Sequence, residues 1–573
     1  MSRLIGVFLF AVGFAFAQQP MITGGPVNAA SYVIAGLPNA KIAQGSMFIL
    51  FGQQLGPGMQ ANAVSFPLPK NLGGTSISVK VAGTAVDAIM LYSAFGQVAA
   101  ILPSNTPVGD GTLTLTFNQH PSNTVPIHVA KSTLGIFTRS QSGFGPGVFF
   151  NFISESNQPV NSLIEAAHPG QVLTLWGTGL GPVSGDEAGG PLPGNLDVPV
   201  DVYVGTTKVT PSYKGRSGCC AGIDQVVFTV PAGVEGCYVS VNVVSNGVTS
   251  NSATIAVASN GNTCSDPGGF TTNDLAKVRN KQALVIGEVA IFRAHASLAL
   301  PSGTVQGDVD LESGHFRRYF TPADVLASNR GSLGGSNGSP SLGSCTVAPF
   351  SYQDFLGAIF GHGGEHANFL GVDAGSVLNL NGPNGAKQIP RVDQGSAGSP
   401  FYVYSPPNGL LGGGLPGVLD AGPAYLSPGN YTLENGSGGS VVGSFQSSLT
   451  IPTAATWTNE DAISNVSRSK DLTLTWSGAP PGTYIGISAT SADPSTGAGA
   501  AIDCLVSADA GKFTVPAWLL SALPASAVDS SAGVPVGFIY LGTLLTASQF
   551  QASGEDLGYF TWGEAVVKNV VFQ

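Results

Sequence analysis

The chain has 573 residues and a net charge of −11, and only 10% of its residues are charged. Its 22 basic residues are spread along the whole length, which excludes a typical nucleic-acid surface, because neutralising phosphates needs clustered Lys and Arg. With 79 Gly, 39 Pro and 43% hydrophobic residues, the composition excludes a disordered polymer and favours an all-β fold of short strands and tight turns.

Residues 1–17 have the features of a signal peptide. Arg3 supplies the positive start, Leu4–Phe14 is apolar, and Ala15-Phe16-Ala17 is a small-x-small cleavage site. This apolar run is too short to cross a bilayer, and no later stretch offers about 18 uninterrupted apolar residues. We therefore expect a secreted, extracellular or cell-surface protein without a transmembrane segment.

An internal repeat organises the next part of the chain into two predicted domains, residues 18–138 and 139–262. Three blocks match in the same order: Ala43–Gly52 with His168–Gly177, Phe66–Leu72 with Gly190–Leu196, and Gln97–Pro103 with Gln225–Pro231. Repeated blocks in a fixed order indicate a duplicated structural unit.

Each repeat predicts an immunoglobulin-like β-sandwich. Short apolar runs alternate with Gly, Pro and Asn turns at roughly 8 to 12 residue spacing, the pattern of sandwich folds. Alternation in the first repeat predicts core positions at Leu113, Leu115 and Phe117. The second repeat predicts core positions at Val239, Val241 and Val243, with Ser240 and Asn242 facing outward.

The second half has no copy of this repeat but also consists of strand-like runs. A break near Pro452 predicts a β-rich domain over 263–452 and a C-terminal β-sandwich domain over 453–573. Short helices are expected at 321–324 and 516–523. The Gly/Ser-rich segment 331–344 is expected to be a linker or long loop.

Six cysteines behind an export signal favour disulfides over free thiols. Cys219 and Cys220 are adjacent, and we expect them to have separate partners, because joining neighbours strains the peptide between them. Cys237 and Cys264 are the nearest candidates, so that these four would form two disulfides in the second repeat. Cys345 is expected to pair with Cys504.

The segment Gly215–Val226, which contains Gly-Cys-Cys-Ala-Gly-Ile-Asp, resembles a known family together with Val230–Tyr238 and Val27–Tyr32. This family is a large set of uncharacterised secreted acidobacterial proteins with tandem immunoglobulin-like modules of the IPT/TIG type. The resemblance covers the two repeats closely and extends to Val372–Gly375 and Leu426–Thr432. It implies an exported β-protein and brings no catalytic residues. The cysteine block is absent from the first repeat.

Three motifs were weighed as sites of chemistry. His362, Glu365 and His366 fit the HxxEH zinc pattern, but intervening glycines each cost about 1 kcal/mol in a helix, so we expect no zinc there. Residues 334–338 spell GxSxG without the strand and helix that a nucleophile elbow needs. The alternating Asp308, Asp310 and Glu312 could be calcium ligands, but a strand with an exposed acidic face fits better.

The remaining candidate functional residues are the tryptophans and one ion pair. The five tryptophans could line a glycan platform, yet Trp176 and Trp476 lie in apolar alternating strands, which predicts core positions. Arg216 and Asp224 beside the cysteine block are expected to form an ion pair that fixes a loop.

No set of nucleophile, base and orienting group is recognisable, so the sequence favours a protein without enzymatic activity or cofactor. The leading hypothesis is a structural or interaction protein that binds an extracellular protein or polysaccharide through its β modules. A carbohydrate-binding or adhesion protein is the alternative, which a row of exposed aromatics on one sheet face would favour. A secreted metal-dependent hydrolase is the third hypothesis.

Overall fold

A computed structural model describes residues 19–266, 269–300, 303–320, 340–353, 369–393, 399–404, 424–530 and 533–573. Strands account for about half of the residues and helices for about 5%, which confirms the all-β prediction. Its α-helices include α1 (Thr272–Val278) and α2 (Ala517–Leu520), the latter within the predicted segment 516–523. The predicted signal peptide and the predicted helix at 321–324 lie outside the described residues.

The first module, residues 21–130, is a sandwich of two sheets. Its strands are β1 (Met21–Asn28), β2 (Ile42–Ala43), β3 (Met47–Gln53), β4 (Ala61–Asn62), β5 (Thr75–Val81), β6 (Thr84–Asp87), β7 (Ile89–Ser93), β8 (Gln97–Ile101), β9 (Gly109–Phe117), β10 (His120–Pro121) and β11 (Val125–Ala130). One sheet has the order β1-β3-β8-β7-β4 and the other β2-β11-β9-β5-β6, with β10 beside β9.

The second module, residues 135–257, repeats this arrangement. Its strands are β12 (Gly135–Ile136), β13 (Gly145–Pro146), β14 (Phe149–Asn151), β15 (Val172–Thr178), β16 (Gly194–Asn195), β17 (Val200–Val204), β18 (Thr207–Val209), β19 (Tyr213–Arg216), β20 (Asp224–Thr229), β21 (Gly236–Ser245), β22 (Val248–Thr249) and β23 (Ala253–Val257). The front sheet has the order β12-β15-β20-β19-β16 with β14 beside β15, and the back sheet β13-β23-β21-β17-β18 with β22 beside β21.

Strand register supports the predicted duplication. In the first module Phe51 of β3 pairs with Gln97 of β8, and in the second Trp176 of β15 pairs with Gln225 of β20. Ile42–Ala43 pairs in parallel with β11, and at the equivalent place in the second module Ala167 forms a parallel bridge with Val257 of β23. The sequence blocks therefore occupy the same places in both sandwiches.

Both cores follow the predicted alternation, with one correction. Leu113 and Leu115 are buried, and Phe117 packs half-buried against them. Val239, Val241 and Val243 are buried in the second core. Ser240 and Asn242 point away from that core as predicted but are themselves fully buried, because later parts of the chain cover the back sheet.

The C-terminal body, residues 272–573, contains the remaining strands. They are β24 (Leu284–Leu300), β25 (Gly303–Tyr319), β26 (Ser344–Ser351), β27 (Phe369–Gly371), β28 (Val377–Gly382), β29 (Gly385–Val392), β30 (Phe401–Tyr404), β31 (Gly429–Glu434), β32 (Gln446–Ile451), β33 (Thr456–Trp457), β34 (Asn465–Val466), β35 (Leu472–Ser477), β36 (Tyr484–Asp493), β37 (Ala498–Ser507), β38 (Lys512–Val515), β39 (Val528–Asp529), β40 (Val534–Pro535), β41 (Gly537–Leu544), β42 (Ser548–Phe550), β43 (Leu557–Asn569) and β44 (Val571–Phe572).

One large sheet joins both parts of this body, in the order β26-β37-β36-β41-β43-β24-β25-β30-β29-β28-β31-β32. The predicted division near Pro452 therefore does not separate two sheets. Strand β24 pairs in parallel with β43, and β26 pairs antiparallel with β37. Strands that precede Pro452 in sequence therefore pair with strands that follow it. Sequence composition near Pro452 marks a loop and carries no information about these long-range pairings.

The large sheet curls at one end so that β32 contacts β42 and β43. This curl encloses an apolar core that includes Val289, Ile291, Phe316, Tyr402 and Trp562. A second core packs β33, β35 and α2 against the other end of the sheet, and Val33 and Leu37 of the first module join it. The first module is thereby anchored directly to the C-terminal body.

Three disulfides are present: Cys219–Cys220, Cys237–Cys264 and Cys345–Cys504. The pairing of Cys345 with Cys504 agrees with the expectation. The expectation of separate partners for Cys219 and Cys220 is wrong. Cys237 and Cys264 bond to each other within a buried cluster. The two adjacent cysteines of the β19–β20 turn therefore have only each other as disulfide partners.

Candidate functional site

Four groups of side chains were compared as functional sites: a charged row on the large sheet, a buried ion cluster between the modules, the covered back sheet of the second module, and its open front sheet. The charged row is Arg293 and His295 of β24, Asp308, Asp310 and Glu312 of β25, Lys387 of β29 and Glu564 of β43. It continues the inward face of the curl beyond Ile291, because strand residues two apart share a face.

Arg293 and Asp310 form a two-pronged ion pair in this row. Arg293 donates from Nε to Asp310 Oδ1 over 2.8 Å and from Nη2 to Oδ2 over 2.9 Å. The backbone N–H groups of Tyr425 and Leu426 also donate to Asp310 Oδ2. Asp310 therefore fixes the chain that leads into β31, which is a structural role.

Lys387 lies between a carboxylate and two rings. Its Nζ is 2.7 Å from Glu312 Oε1, 3.8 Å from the centroid of the Tyr404 ring and 4.8 Å from that of Tyr425. Burial raises the pKa of the Glu312 carboxyl, and the hydrogen bond from Lys387 opposes this. The Lys387 ammonium group is therefore neutralised by the Glu312 carboxylate and contacts the faces of the two aromatic rings.

His295 is bonded through both ring nitrogens. Nδ1 is 2.7 Å from Asp308 Oδ1, and Nε2 is 2.9 Å from Glu564 Oε1. The hydrogen bond to Glu564, assisted by Asp308, raises the pKa of the imidazole and favours its protonated form. In its protonated form this ring donates from both nitrogens, to Asp308 and to Glu564.

The acidic run over 308–312 is a strand as predicted, but its acidic face is exposed only at Asp308. Asp310 and Glu312 are buried, because Arg293 and Lys387 on flanking strands neutralise them. Among the residues that the structure describes, no three His, Cys, Asp or Glu side chains are grouped to hold a metal ion. The row is best described as a network of ion pairs.

The second group lies where the two modules meet. Arg216 Nη1 is 2.9 Å from Asp224 Oδ1, and Arg216 Nη2 is 3.6 Å from Glu187 Oε1. The three side chains are 1%, 0% and 5% exposed, respectively. The predicted ion pair between Arg216 and Asp224 is confirmed, and Glu187 joins it from a 3-10 turn, Glu187–Gly189, that the sequence analysis did not single out.

This cluster reaches directly into the first module. The backbone N–H of Ser104 donates to Glu187 Oε2 over 2.7 Å. Complete burial raises the pKa of Asp224 to about 6, against the opposing charge of Arg216, and burial also raises the pKa of Glu187. Ala188 and Ala221 pack beside the cluster against Leu68, Ile89 and Ile101 of the first module.

The back sheet of the second module is covered by the C-terminal body. Tyr203 stacks on Trp518 with ring centroids 4.1 Å apart, and Thr249 Oγ1 donates to the Trp518 carbonyl over 2.6 Å. The backbone N–H of Val347 donates to Ser252 Oγ over 2.7 Å. These contacts bury Asn242 and its neighbours.

The front sheet of the same module carries an aromatic pair on its outer face. Phe150 and Trp176 lie with ring centroids 5.5 Å apart and their planes at 58°. The prediction that Trp176 is a core residue is wrong, because Leu173 and Leu175 take the inward positions of β15 and leave Trp176 facing outward, half-buried. Trp476 is buried as predicted.

Sequence analysis missed Phe150, His295, Lys387 and Glu564. Alternation in β14 could have placed Phe150 outward, since Phe149 is a core residue. The row around His295 had no local signal, because its members come from strands far apart in sequence. The zinc candidates His362, Glu365 and His366 and the segment 334–338 lie outside the described residues.

The described part of the chain contains no helix long and apolar enough to cross a membrane. No protein-family model and no curated protein matches the chain.

Similar solved structures include the plexin A4 extracellular region, at 14% identity over 44% of this chain and 19% of that chain, with a TM-score of 0.16. Another is SGBP-B from a complex xyloglucan utilization locus in Bacteroides uniformis, at 10% identity over 67% and 85%, with a TM-score of 0.17. A third is domains 5-6 of the S-layer protein SbsC, at 15% identity over 42% and 98%, with a TM-score of 0.16. With TM-scores this low, we base the function on this chain's own residues.

Proposed function

We propose that this protein is a secreted or cell-surface interaction protein that binds an extracellular partner through β-sandwich modules held in fixed orientation, without chemical turnover. The observation that carries the proposal is the buried cluster of Glu187, Arg216 and Asp224, which accepts a hydrogen bond from Ser104 of the first module. Buried ion pairs need fixed geometry to offset their desolvation, so a junction that contains one resists bending.

The remaining junctions support the same proposal. Val33 and Leu37 of the first module enter a core of the C-terminal body, and Tyr203 of the second module stacks on Trp518. Flexible multidomain chains are joined by exposed linkers with few contacts between domains. Here each module is held by buried contacts, which suits a rigid support for a binding surface.

Export is part of the proposal. The features of residues 1–17 fit a signal peptide, and three disulfides suit the oxidising conditions outside the cytoplasm. The resemblance of Gly215–Val226 to secreted proteins with IPT/TIG-type modules supports the same location. We retain 18–138 and 139–262 as the proposed limits of the two repeats.

Carbohydrate binding is the second candidate, and one observation favours it. Phe150 and Trp176 form an aromatic pair on an outer sheet face that the described residues leave accessible. The hydrolase hypothesis receives no such support from the charged row, whose carboxylates face Arg293, His295 and Lys387.

Two measurements on residues 18–573 test the proposed function. Small-angle X-ray scattering should fit one rigid arrangement, and Arg216→Met should broaden the distribution of shapes. A screen of polysaccharide, peptide and ester substrates should show no turnover. Turnover that a single substitution abolishes without unfolding the protein, or a flexible wild-type chain, would contradict the proposal.

A further inference from the structure

The outer face of the front sheet in the second module is the accessible face of this sandwich. The back sheet is buried against Trp518 and Val347, whereas the outward side chains of β14, β15 and β20 are half-buried or exposed, apart from the buried Thr174 and Thr178. We name the outward positions of β14, β15 and β20 the platform: Phe150, Thr174, Trp176, Gln225, Val227 and Thr229.

We propose that the platform binds an uncharged polysaccharide. The inference rests on the proposed function, in which rigid modules present a binding surface, and it names the surface and the class of partner.

The first argument is the combination of rings and hydrogen-bonding groups. A pyranose ring has C–H groups on its faces and hydroxyl groups at its rim, so it needs an apolar surface flanked by donors and acceptors. Phe150 and Trp176 supply the apolar surface, with ring centroids 5.5 Å apart. Gln225 lies directly opposite Trp176 on the next strand, and Thr229 lies on the same face of that strand.

The second argument is charge. None of the six platform positions carries a charged residue, although 55 of the 573 residues are acidic or basic, as 22 Lys and Arg and 33 Asp and Glu. The charged partners Arg216 and Asp224 of the same sheet point inward instead. An anionic polymer would find no cation at these six positions and would meet a protein of net charge −11.

The uncharged surface continues beyond the platform. An open cavity of about 580 Å³ adjoins Thr229, and every residue that lines it is uncharged, including Pro169, Val209, Thr210 and Pro231. On the other side, Phe152 is 41% exposed and Val160 is 40% exposed. A chain of several sugar units could therefore remain in contact along the face, which favours a polymer over a single sugar.

Affinity electrophoresis tests the proposal in native gels that contain hydroxyethyl cellulose, galactomannan or mixed-linkage glucan, with polygalacturonate as the charged comparison. We expect at least one neutral polysaccharide to retard residues 18–573 and polygalacturonate to have no effect. Trp176→Ala should weaken binding about tenfold or more, since central aromatic contacts dominate such surfaces. Phe150→Ala should weaken it by a smaller factor.

The first module provides a matched control. Phe51 occupies the same register position as Trp176, opposite Gln97, and is 38% exposed, but no aromatic residue stands where Phe150 does. Phe51→Ala should leave retardation unchanged. If thermal unfolding shows that Trp176→Ala is unstable, Gln225→Ala tests the same face with a smaller change.

Three outcomes would overturn the proposal. They are no retardation by any neutral polysaccharide, retardation that the platform variants leave unchanged, and a dimer in sedimentation equilibrium that Trp176→Ala dissociates. The last would show that the platform contacts a second copy of the chain. Each leaves the scattering and turnover measurements intact, so failure here is distinct from failure of the proposed function.

Discussion

The two sandwich modules share one strand order but use the same outer face differently. Phe51 and Trp176 stand at equivalent positions, each opposite a glutamine. In the first module, Ile49 lies two residues before Phe51 on the same face. Ile49 is buried in a small cluster with Ala29 and Ala99, and Tyr32 packs against this cluster. Beside Trp176 the second module has Phe150, which leaves an aromatic pair at the surface. The two modules therefore share their core positions but differ in the residues on this outer face.

The modules also differ in where they place acidic side chains. In residues 21–130 the acidic residues are Asp87 and Asp110, and both are exposed. In the second module Glu187 and Asp224 are buried with Arg216. Since the first sandwich is built without buried charge, the cluster is not needed for the fold. Its contact with Ser104 shows that it belongs to the junction.

The largest effect should follow loss of the cation in this cluster. Arg216→Met leaves two buried carboxyl groups without their partner, which should destabilise the second module by about 3–5 kcal/mol. Hydrogen exchange, followed by mass spectrometry, should show lost protection in β15 and β20 before β3 and β8. Lys208→Ala removes an exposed ion pair with Asp201 and should have a far smaller effect, because solvent screens exposed charges. Equal effects of the two variants would contradict this reading of the junction.

The two modules also differ in their disulfides, because the first module contains none. Cys237–Cys264 spans 27 residues, and its replacement by two serines should cost about 2–4 kcal/mol. Replacing Cys219 and Cys220 by serine should cost much less, because the bond joins neighbours and closes almost no loop. Denaturant unfolding measures both, and mass mapping of the unreduced protein checks the pairs. A larger loss for the adjacent pair would show that it holds the junction.

The pH dependence of stability should also distinguish the modules. Asp224 has a pKa of about 6 in the folded protein, above that of an unfolded aspartate near 3.9. A raised pKa means that the folded state binds the proton more tightly, so its stabilisation is complete below about pH 4 and lost as pH rises through 6. We expect the second module to lose about 3 kcal/mol across this window, at about 1.4 kcal/mol for each pKa unit. Asp224→Asn should flatten the profile in hydrogen exchange, and an unchanged slope would exclude Asp224 as its source.

The smallest expected effect concerns the close approach of the two modules at Gly222. Its φ is +74°, and a Cβ there would lie 2.8 Å from Met47 Cγ and 2.9 Å from Ile101 Cγ1 of the first module. Gly222→Ala should therefore cost about 1 kcal/mol more than Gly247→Ala, where φ is +80° and the space is open. Thermal unfolding of both variants isolates the packing effect from the backbone effect. Equal shifts would mean that the modules separate readily at this point.

The β class, the duplicated unit and much of each core follow from local sequence patterns. Alternation with period two assigns residues such as Leu113 and Val241 to one face, and the repeated blocks locate the same strands in both modules. The sequence also predicted the Arg216–Asp224 pair, because two opposite charges lie close in sequence on either side of the cysteine block, and the structure places them opposite each other on paired strands.

Only the tertiary structure decided what covers the outer faces. Ser240 and Asn242 became buried because the C-terminal body packs on the back sheet, whereas the first module covers the front sheet only near Thr178 and leaves Trp176 half-buried. Glu312 is buried beside Lys387, 75 residues away in sequence. Period-two patterning defines two faces of a strand, whereas burial of the outer face depends on long-range packing that no local pattern encodes.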